Sequence, residues 1–240
     1  MKKIILTVVY STFLSVIVFG QTQFNKPDSS SYSHGFKVRS SSYKSAKSYI
    51  LPLALTAYGL VALENDGLRS LNMSTKNEIV EDHLSFKTSI DNYLQFSPAF
   101  ATFALKSSGL KGEHNGLQSV RLYITSSILM AGSVYLLKNA TQVVRPDGTS
   151  HSSFPSGHTA TAFSGAEFMH QEFKHSNPIL SYTGYLAAGA TGVLRMYNNK
   201  HYLSDVITGA GVGILTTKLA YWLDSKLFKP YKSKLNVQQN

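Results

Sequence analysis

Five stretches of the chain are apolar enough to form buried helices: 49–63, 94–105, 122–137, 158–194 and 205–223. None shows the strict apolar/polar alternation of a half-buried strand, so the pattern predicts helices, and the fourth stretch breaks between His175 and Pro178. Polar segments rich in Gly, Asn and Lys connect them, with no internal repeat. Together with an apolar run at 4–19, the pattern predicts an all-α fold, a helical bundle of about six helices.

The N-terminal run follows Met1, Lys2 and Lys3 and ends at Gly20 and Gln21. A basic start, an apolar run and a small residue are the order of an export signal, with an ordinary first helix as the alternative. The expected organisation is therefore a signal peptide or first hydrophobic helix at 1–20, an exposed polar leader at 21–48, a helical domain at 49–225 and a basic polar tail at 226–240. A spanning helix needs roughly 20 mostly apolar residues. The clean runs here are shorter and mean hydropathy is only −0.07, which allows a soluble periplasmic protein as the alternative to the expected membrane-embedded bundle.

Charge placement supplies an orientation. If 122–137, 158–173, 179–194 and 205–223 all cross, the loops 138–157 and 195–204 share one side and place the active site at one end of the bundle. Lys174, Lys226, Lys229, Lys232 and Lys234 then share the other, as a cytoplasmic side should. The expectation is a bacterial inner-membrane protein whose site faces the periplasm. This arrangement requires that 94–105 not cross.

Lys and Arg number 23 against 13 Asp and Glu, which suits an anionic partner. The cations are dispersed, and several lie beside Gly, Pro and His, so no dense basic stripe points to nucleic acid. Cysteine is absent, which excludes disulfides and thiolate metal sites. Chemistry must come from His, Arg, Lys, Asp and Ser.

Three short constellations carry such residues. Lys138 ends an apolar helix, and Arg145 with Pro146 follows in the next loop; alone, this would be a snorkelling Lys and a solvated Arg. Pro155, Ser156, Gly157 and His158 open a helix, where Ser156 suits an N-cap and the first N–H groups form an anion site; alone, this would be a plain capped helix. Arg195 precedes His201 and Asp205, whose spacing of four sets a carboxylate against an imidazole; alone, this would be an ordinary surface pair. Together they hold three cations, a helix-start anion hole, two His and an orienting carboxylate, the inventory for phosphoryl transfer without a metal.

In this order, K-x6-R-P, P-S-G-H and R-x5-H-x3-D resemble the three signature motifs of the type 2 phosphatidic acid phosphatase family, which also includes bacterial non-specific acid phosphatases and vanadium haloperoxidases. The resemblance covers 122–223. It implies that Lys138, Arg145 and Arg195 bind phosphate oxygens, with Ser156 and the N–H groups of Gly157 and His158 completing the cradle. His201 would attack phosphorus, Asp205 would orient it, and His158 would protonate the leaving group and then activate water. No metal or other cofactor is implied. One departure stands out: Leu194 occupies a position where the family often has Ser.

The expected function is a metal-independent phosphatase acting on a membrane lipid phosphate: lipid A, undecaprenyl pyrophosphate, phosphatidylglycerol phosphate or phosphatidic acid. The alternatives are a soluble non-specific acid phosphatase, a vanadium haloperoxidase and a non-catalytic membrane protein. His151 is read as a loop residue near the site, and Glu167, His170 and His175 as lying on or beside helix surfaces without a role.

Overall fold

The computed structural model describes residues 45–83 and 86–228. The run at 1–20, nearly all of the polar leader and all but the first residues of the basic tail lie outside the described residues. After a short 3-10 turn at Ala46–Tyr49, the elements are α1 (Ile50–Ala62), α2 (Asp66–Asp82), α3 (Ile90–Leu94), α4 (Ser97–Ser107), α5 (Gly116–Thr141), α6 (Gly157–Phe173), α7 (Pro178–Tyr197) and α8 (Leu203–Leu227). Among the described residues every regular element is helical, as the hydrophobic pattern predicts.

Local signals start these helices. Asn65, Asn115 and Asn177 accept hydrogen bonds from the N–H groups of Leu68, Gln118 and Leu180, capping α2, α5 and α7. Pro178 takes the first position of α7, where its missing N–H costs nothing. Helix α5 stops at Gln142, whose φ of 48° is left-handed.

Helix α6 is the axis of the bundle, packed by α4, α5, α7 and α8 and buried along most of its length. Small residues bring its neighbours close. A Cβ on Gly209 of α8 would come 2.6 Å from the Ser156 carbonyl oxygen, and one on Gly211 would come 2.7 Å from that of Pro52. Helix α8 therefore lies almost backbone to backbone against the start of α6 on one face and α1 on another. Apolar clusters flank the axis: Met130, Val134, Leu137, Ala160 and Val212 on one level, and Leu122, Phe168 and Tyr221 on another. The hydroxyls of Ser126, Ser164 and Thr217 bond to one another at 2.7 to 2.9 Å, which satisfies them inside the packed core.

The chain reverses so that the ends of α5 and α7 and the starts of α6 and α8 share one end of the bundle, together with the loops 142–156 and 198–202. The opposite end holds the 174–177 turn, the 108–115 loop and the last turn of α8. This is the two-ended layout expected from the charges, with one correction. Asp91 meets Arg195 at the first end, while Lys106 meets Glu172 at the second, so 90–107 does traverse the bundle. The break between α3 and α4 hid this passage, because neither helix is long or apolar enough to be read as crossing alone.

Two helices, α2 and α3, occupy segments that read as polar linkers. In α2 only Asn72 is buried, so no apolar stripe announces the helix. Conversely, α5 and α8 extend to 26 and 25 residues because Ser, Thr and Gly continue the apolar runs, and both are long and apolar enough to cross a membrane. The turn at 46–49 with α1 qualifies only jointly with α2, and the two are bent by 94°. Large apolar side chains face outward from α5 (Val120, Ile124, Ile128, Leu136) and α7 (Ile179, Leu186). These outward apolar faces are of the kind that meets lipid or a partner.

Candidate active site

The three constellations meet at the first end of the bundle. The charges of Arg145, Arg195 and His201 all act on His158, and those of Lys138 and Arg195 act on His201. Each arrives from a different element: Lys138 from the last turn of α5, Arg145 from the following loop, His158 from the first turn of α6, Arg195 from the last turn of α7 and His201 from the link into α8.

Local bonds set each group. The Lys138 ammonium donates to the backbone carbonyls of Ser152 and, at 3.4 Å, Ser153, which folds the loop back over α5. Arg145 is fixed through its backbone, donating N–H to Ser150 and accepting from Gly148. Its Nε is buried without a partner. Ser156 is wholly buried; its hydroxyl accepts from the Thr159 N–H at 3.4 Å and hydroxyl at 2.9 Å, so it is used as the helix cap. Gly157 keeps room beside it, since an added Cβ would meet nothing nearer than Val134 at 3.8 Å.

After α7, Asn199 turns the chain with φ of 55°, and His201 follows, 3% exposed. Its Nδ1 lies 3.5 Å from Asp205 Oδ2, and this contact is too long and poorly aligned to count as a hydrogen bond, leaving Nδ1 without a partner. The carboxylate is itself held firmly, accepting from the Ser153 hydroxyl at 2.5 Å and the Tyr202 N–H at 2.9 Å. Burial pushes the His201 imidazole below its ordinary value, against the pull of Asp205, and Lys138 and Arg195 push the same way. A neutral ring with a lone pair is what a nucleophile requires.

His158 is driven down to about 4, first by burial and then by Arg195, His201 and Arg145, with Asp91 opposing. Burial is the largest cause, and the positive charge that adds to it is what a bound dianion would neutralise.

Several partners had no signal in the sequence. Asp91 of α3 is fully buried and accepts from Arg195 Nη1 at 2.6 Å and from Asn198 Nδ2 at 3.1 Å. The Asp91 Oδ1 and Arg195 Nε atoms of this pair remain buried and unpartnered. The side-chain oxygen of Asn92 lies 2.8 Å from His158 Nε2. Asn72 of α2 bonds twice to Ser204, through its amide to the hydroxyl at 2.8 Å and through its oxygen to the N–H at 3.0 Å, pinning the start of α8. Lys200 pairs with Asp147 at 2.5 Å, joining the two site loops.

The residues without an assigned role fall as follows. His151 is an exposed loop residue. His170 is partly buried and bonds to Ser181 at 3.1 Å. Glu167 departs from the surface reading: it is 1% exposed, pairs with Lys218 at 2.9 Å and accepts from Tyr185 and Gln171. Its paired cation lies on α8, a partner that the local sequence cannot display.

Residues 119–229 match the family model of the PAP2 superfamily. The lipid A 1-phosphatase of Porphyromonas gingivalis is 39% identical over 161 residues, covering 65% of this chain and 36% of that protein. The chain thus spans about a third of that relative's length. The transmembrane PAP2 type phosphatidylglycerolphosphate phosphatase of Bacillus subtilis, a crystal structure, superposes with a TM-score of 0.51 at 20% identity, covering 76% of this chain and 99% of that one. Aquifex aeolicus LpxE gives a TM-score of 0.46 at 21% identity, covering 63% and 95%. The similarity to the Bacillus structure establishes the shared helical fold.

Proposed function

Because residues 119–229 match the family model of the PAP2 superfamily, we propose that the chain belongs to it and is a phosphatase for a membrane lipid phosphate, working through a phospho-histidine on His201 without a metal. The observation that carries this reading is the pair of buried, unpartnered guanidinium nitrogens, Arg145 Nε and Arg195 Nε, whose cations crowd His158. A protein leaves such donors buried and unsatisfied at a cost of about 1–3 kcal/mol each, more when charged. A phosphate oxygen is the natural acceptor.

In this reading Lys138, Arg145 and Arg195 take the equatorial oxygens, and the N–H groups of Gly157 and His158 at the start of α6 add to them. Ser156 holds that helix start in place through its cap. His201 attacks phosphorus through Nε2, since Nδ1 faces Asp205, which stabilises the imidazolium-like product. As the phosphorus–oxygen bond breaks, the electron pair stays with the lipid oxygen and protonated His158 supplies its proton. Neutral His158 then takes a proton from the water that attacks phosphorus; the phosphorus–nitrogen bond breaks, its electron pair returns to His201 Nε2, and both rings are restored.

The membrane assignment rests on α5 and α8, with the outward apolar belt in contact with lipid. The cations Lys174 and Lys226 put their end in the cytoplasm and the site end in the periplasm; because 90–107 crosses, α1 must then start at the cytoplasmic end, where the Tyr49 hydroxyl donates to the Lys218 carbonyl. Lipid A 1-phosphate is the first candidate substrate, since the lipid A 1-phosphatase is a relative at 39% identity.

The decisive assay is phosphate release from lipid A, undecaprenyl pyrophosphate, phosphatidylglycerol phosphate and phosphatidic acid, in detergent with EDTA. Fastest release from the 1-position of lipid A is expected. No release from any lipid would sink the phosphatase reading; activity abolished by EDTA would sink only the metal-free mechanism. Quenching during turnover in alkaline detergent, which preserves a phosphorus–nitrogen bond, should trap phosphate on wild-type protein and none on His201→Ala. Washing membranes at high salt and alkaline pH tests the placement, and full recovery in the supernatant would favour the soluble alternative.

A further inference from the structure

Helix α3 lies before the segment that matches the family, yet two consecutive residues of it reach two different site groups. Asp91 grips Arg195, and Asn92 meets His158. The first contact is an anchor: Asp91 is fully buried, bonded at 2.6 Å to Arg195 and at 3.1 Å to Asn198, and Asn198 in turn donates to the Thr88 carbonyl and accepts from the Thr88 N–H, both at 2.9 Å. This lattice fixes the strand of chain entering α3. The second contact is different in kind. An amide oxygen can only accept, so its partner Nε2 must carry the hydrogen.

We propose that Asn92 is a positioning residue for the proton His158 delivers: its side-chain oxygen holds the ring with hydrogen on Nε2, aimed at the mouth of the site, and the buried Asp91–Arg195 pair holds Asn92 at that distance. The proposal rests on the acid and base role given to His158 above. When the lipid phosphate enters, the leaving oxygen replaces Asn92 as the acceptor of that hydrogen. The donating ring carries hydrogen on both nitrogens: its Nε2 proton passes to the leaving oxygen as the phosphorus–oxygen bond breaks, leaving a neutral ring with hydrogen on Nδ1 and a lone pair on Nε2. That lone pair takes the proton of the attacking water in the second step, and Nε2–H returns to Asn92.

The test compares wild type with Asn92→Ala and Asn92→Asp by kcat and KM against pH, in detergent with EDTA, on lipid A and on a short-chain phosphatidic acid. Four charged or titratable groups face His158 and are common to all three proteins: Asp91 from α3, Arg195 from α7, His201 from the link before α8 and Arg145 from the loop after α5. A carboxylate at position 92 favours the protonated ring, so Asn92→Asp should move the alkaline limb of kcat to higher pH. Removing the acceptor should move it lower in Asn92→Ala and reduce kcat by roughly 10- to 100-fold, the range for losing an orienting partner, with KM little changed. A purely structural role would not give opposite shifts. Asp91→Asn, which keeps the shape and loses the charge of the anchor, should weaken inhibition by inorganic phosphate and bring the limb toward that of Asn92→Ala. Limb positions identical to wild type in both Asn92 variants would overturn the proposal.

If wild type turns over no lipid, the functional reading falls first, and the ring nitrogens still decide this inference. In 15N-histidine spectra, with His158 assigned by its loss in His158→Gln, wild type should show Nε2 protonated and Asn92→Ala a mixed tautomer. Equal tautomer populations in the two proteins would overturn it independently of activity.

Discussion

The two ends of the bundle handle buried charge in opposite ways. At the end away from the site, Glu172 is fully occupied: it accepts from Lys106, from the His114 ring at 2.8 Å, from Ser119 at 3.0 Å and from Tyr221 at 2.9 Å. Nearby, Asp224 binds Arg121 at 2.7 Å and Gln118 at 3.1 Å. At the site end, buried atoms of Asp91, Arg145, Arg195, Asn199 and His201 have no partner, whereas His175 supplies the one such atom near the opposite turn among the described residues. Both ends bury ions at a desolvation cost. At the far end that cost is offset within the protein, and at the site end part of it is not, which is the room the proposed function gives to a ligand. The difference locates function without reference to any motif.

The sharpest way to break this comparison is to delete one group from each end. His201→Ala should reduce phosphate release by about 10⁴-fold or more, the scale for loss of a nucleophile, while leaving thermal stability near wild type because no bonded partner is stranded. Glu172→Ala should do the reverse. It leaves the Lys106 ammonium, 11% exposed, without its carboxylate, and breaking a buried pair this way costs about 3–5 kcal/mol. Its kcat per folded molecule should stay within a few-fold of wild type. Paired melting and activity measurements decide it; a His201→Ala that melts as early as Glu172→Ala would erase the contrast.

Two glycines sharpen the same contrast within the site end. A methyl on Gly209 would press on the Ser156 backbone oxygen, which cannot rotate away, so Gly209→Ala should cost about 1–3 kcal/mol. A methyl on Gly157 meets only Val134 at ordinary contact distance. Gly157→Ala should therefore keep or slightly raise the melting temperature while weakening inhibition by inorganic phosphate, because the methyl enters the space proposed for the ligand. Equal melting temperatures for the two variants would refute the packing argument, and unchanged phosphate inhibition in Gly157→Ala would remove that residue from the cradle.

What the sequence made legible follows from range. Ser156 caps α6 for Thr159 three residues on, and Asp205 follows His201 by four residues, so short spacing alone suggests that each pair meets. The apolar runs that became α1 and α4 to α8 likewise declare themselves within a dozen residues. The Asp91–Arg195 contact spans 104 residues, Asn72–Ser204 spans 132 and Asn92–His158 spans 66, and each exists only because α2 and α3 are brought to the site end by the fold. Neither helix carries an apolar stripe to betray its place. Glu167 failed for the same reason in reverse: a carboxylate reads as surface until Lys218 is seen beside it.

The smallest expected effect concerns a site-end pair that is satisfied and still wet. Lys200 and Asp147 meet at 2.5 Å with side chains 34% and 16% exposed, tying the 142–156 loop to the 198–202 link. Burial alone would raise the Asp147 carboxyl, but hydrogen bonds from Lys200 and from the hydroxyl and N–H of Thr149 outweigh it and hold the group at about 2. Because the folded value lies below the ordinary 3.8, the stabilisation is fully present above the ordinary range and is lost as pH falls through about 2. Solvent screening at Lys200 keeps it small, so Asp147→Asn should cost less than about 1 kcal/mol at neutral pH. Melting both proteins from pH 7 to pH 2 should show that small gap closing below pH 4 or so, where the wild-type carboxyl begins to take up its proton on unfolding. A gap that persists unchanged at pH 2 would mean that shape, not charge, joins the two loops. A gap of several kcal/mol at pH 7 would mean that the site end, like the far end, depends on its paired ions for stability.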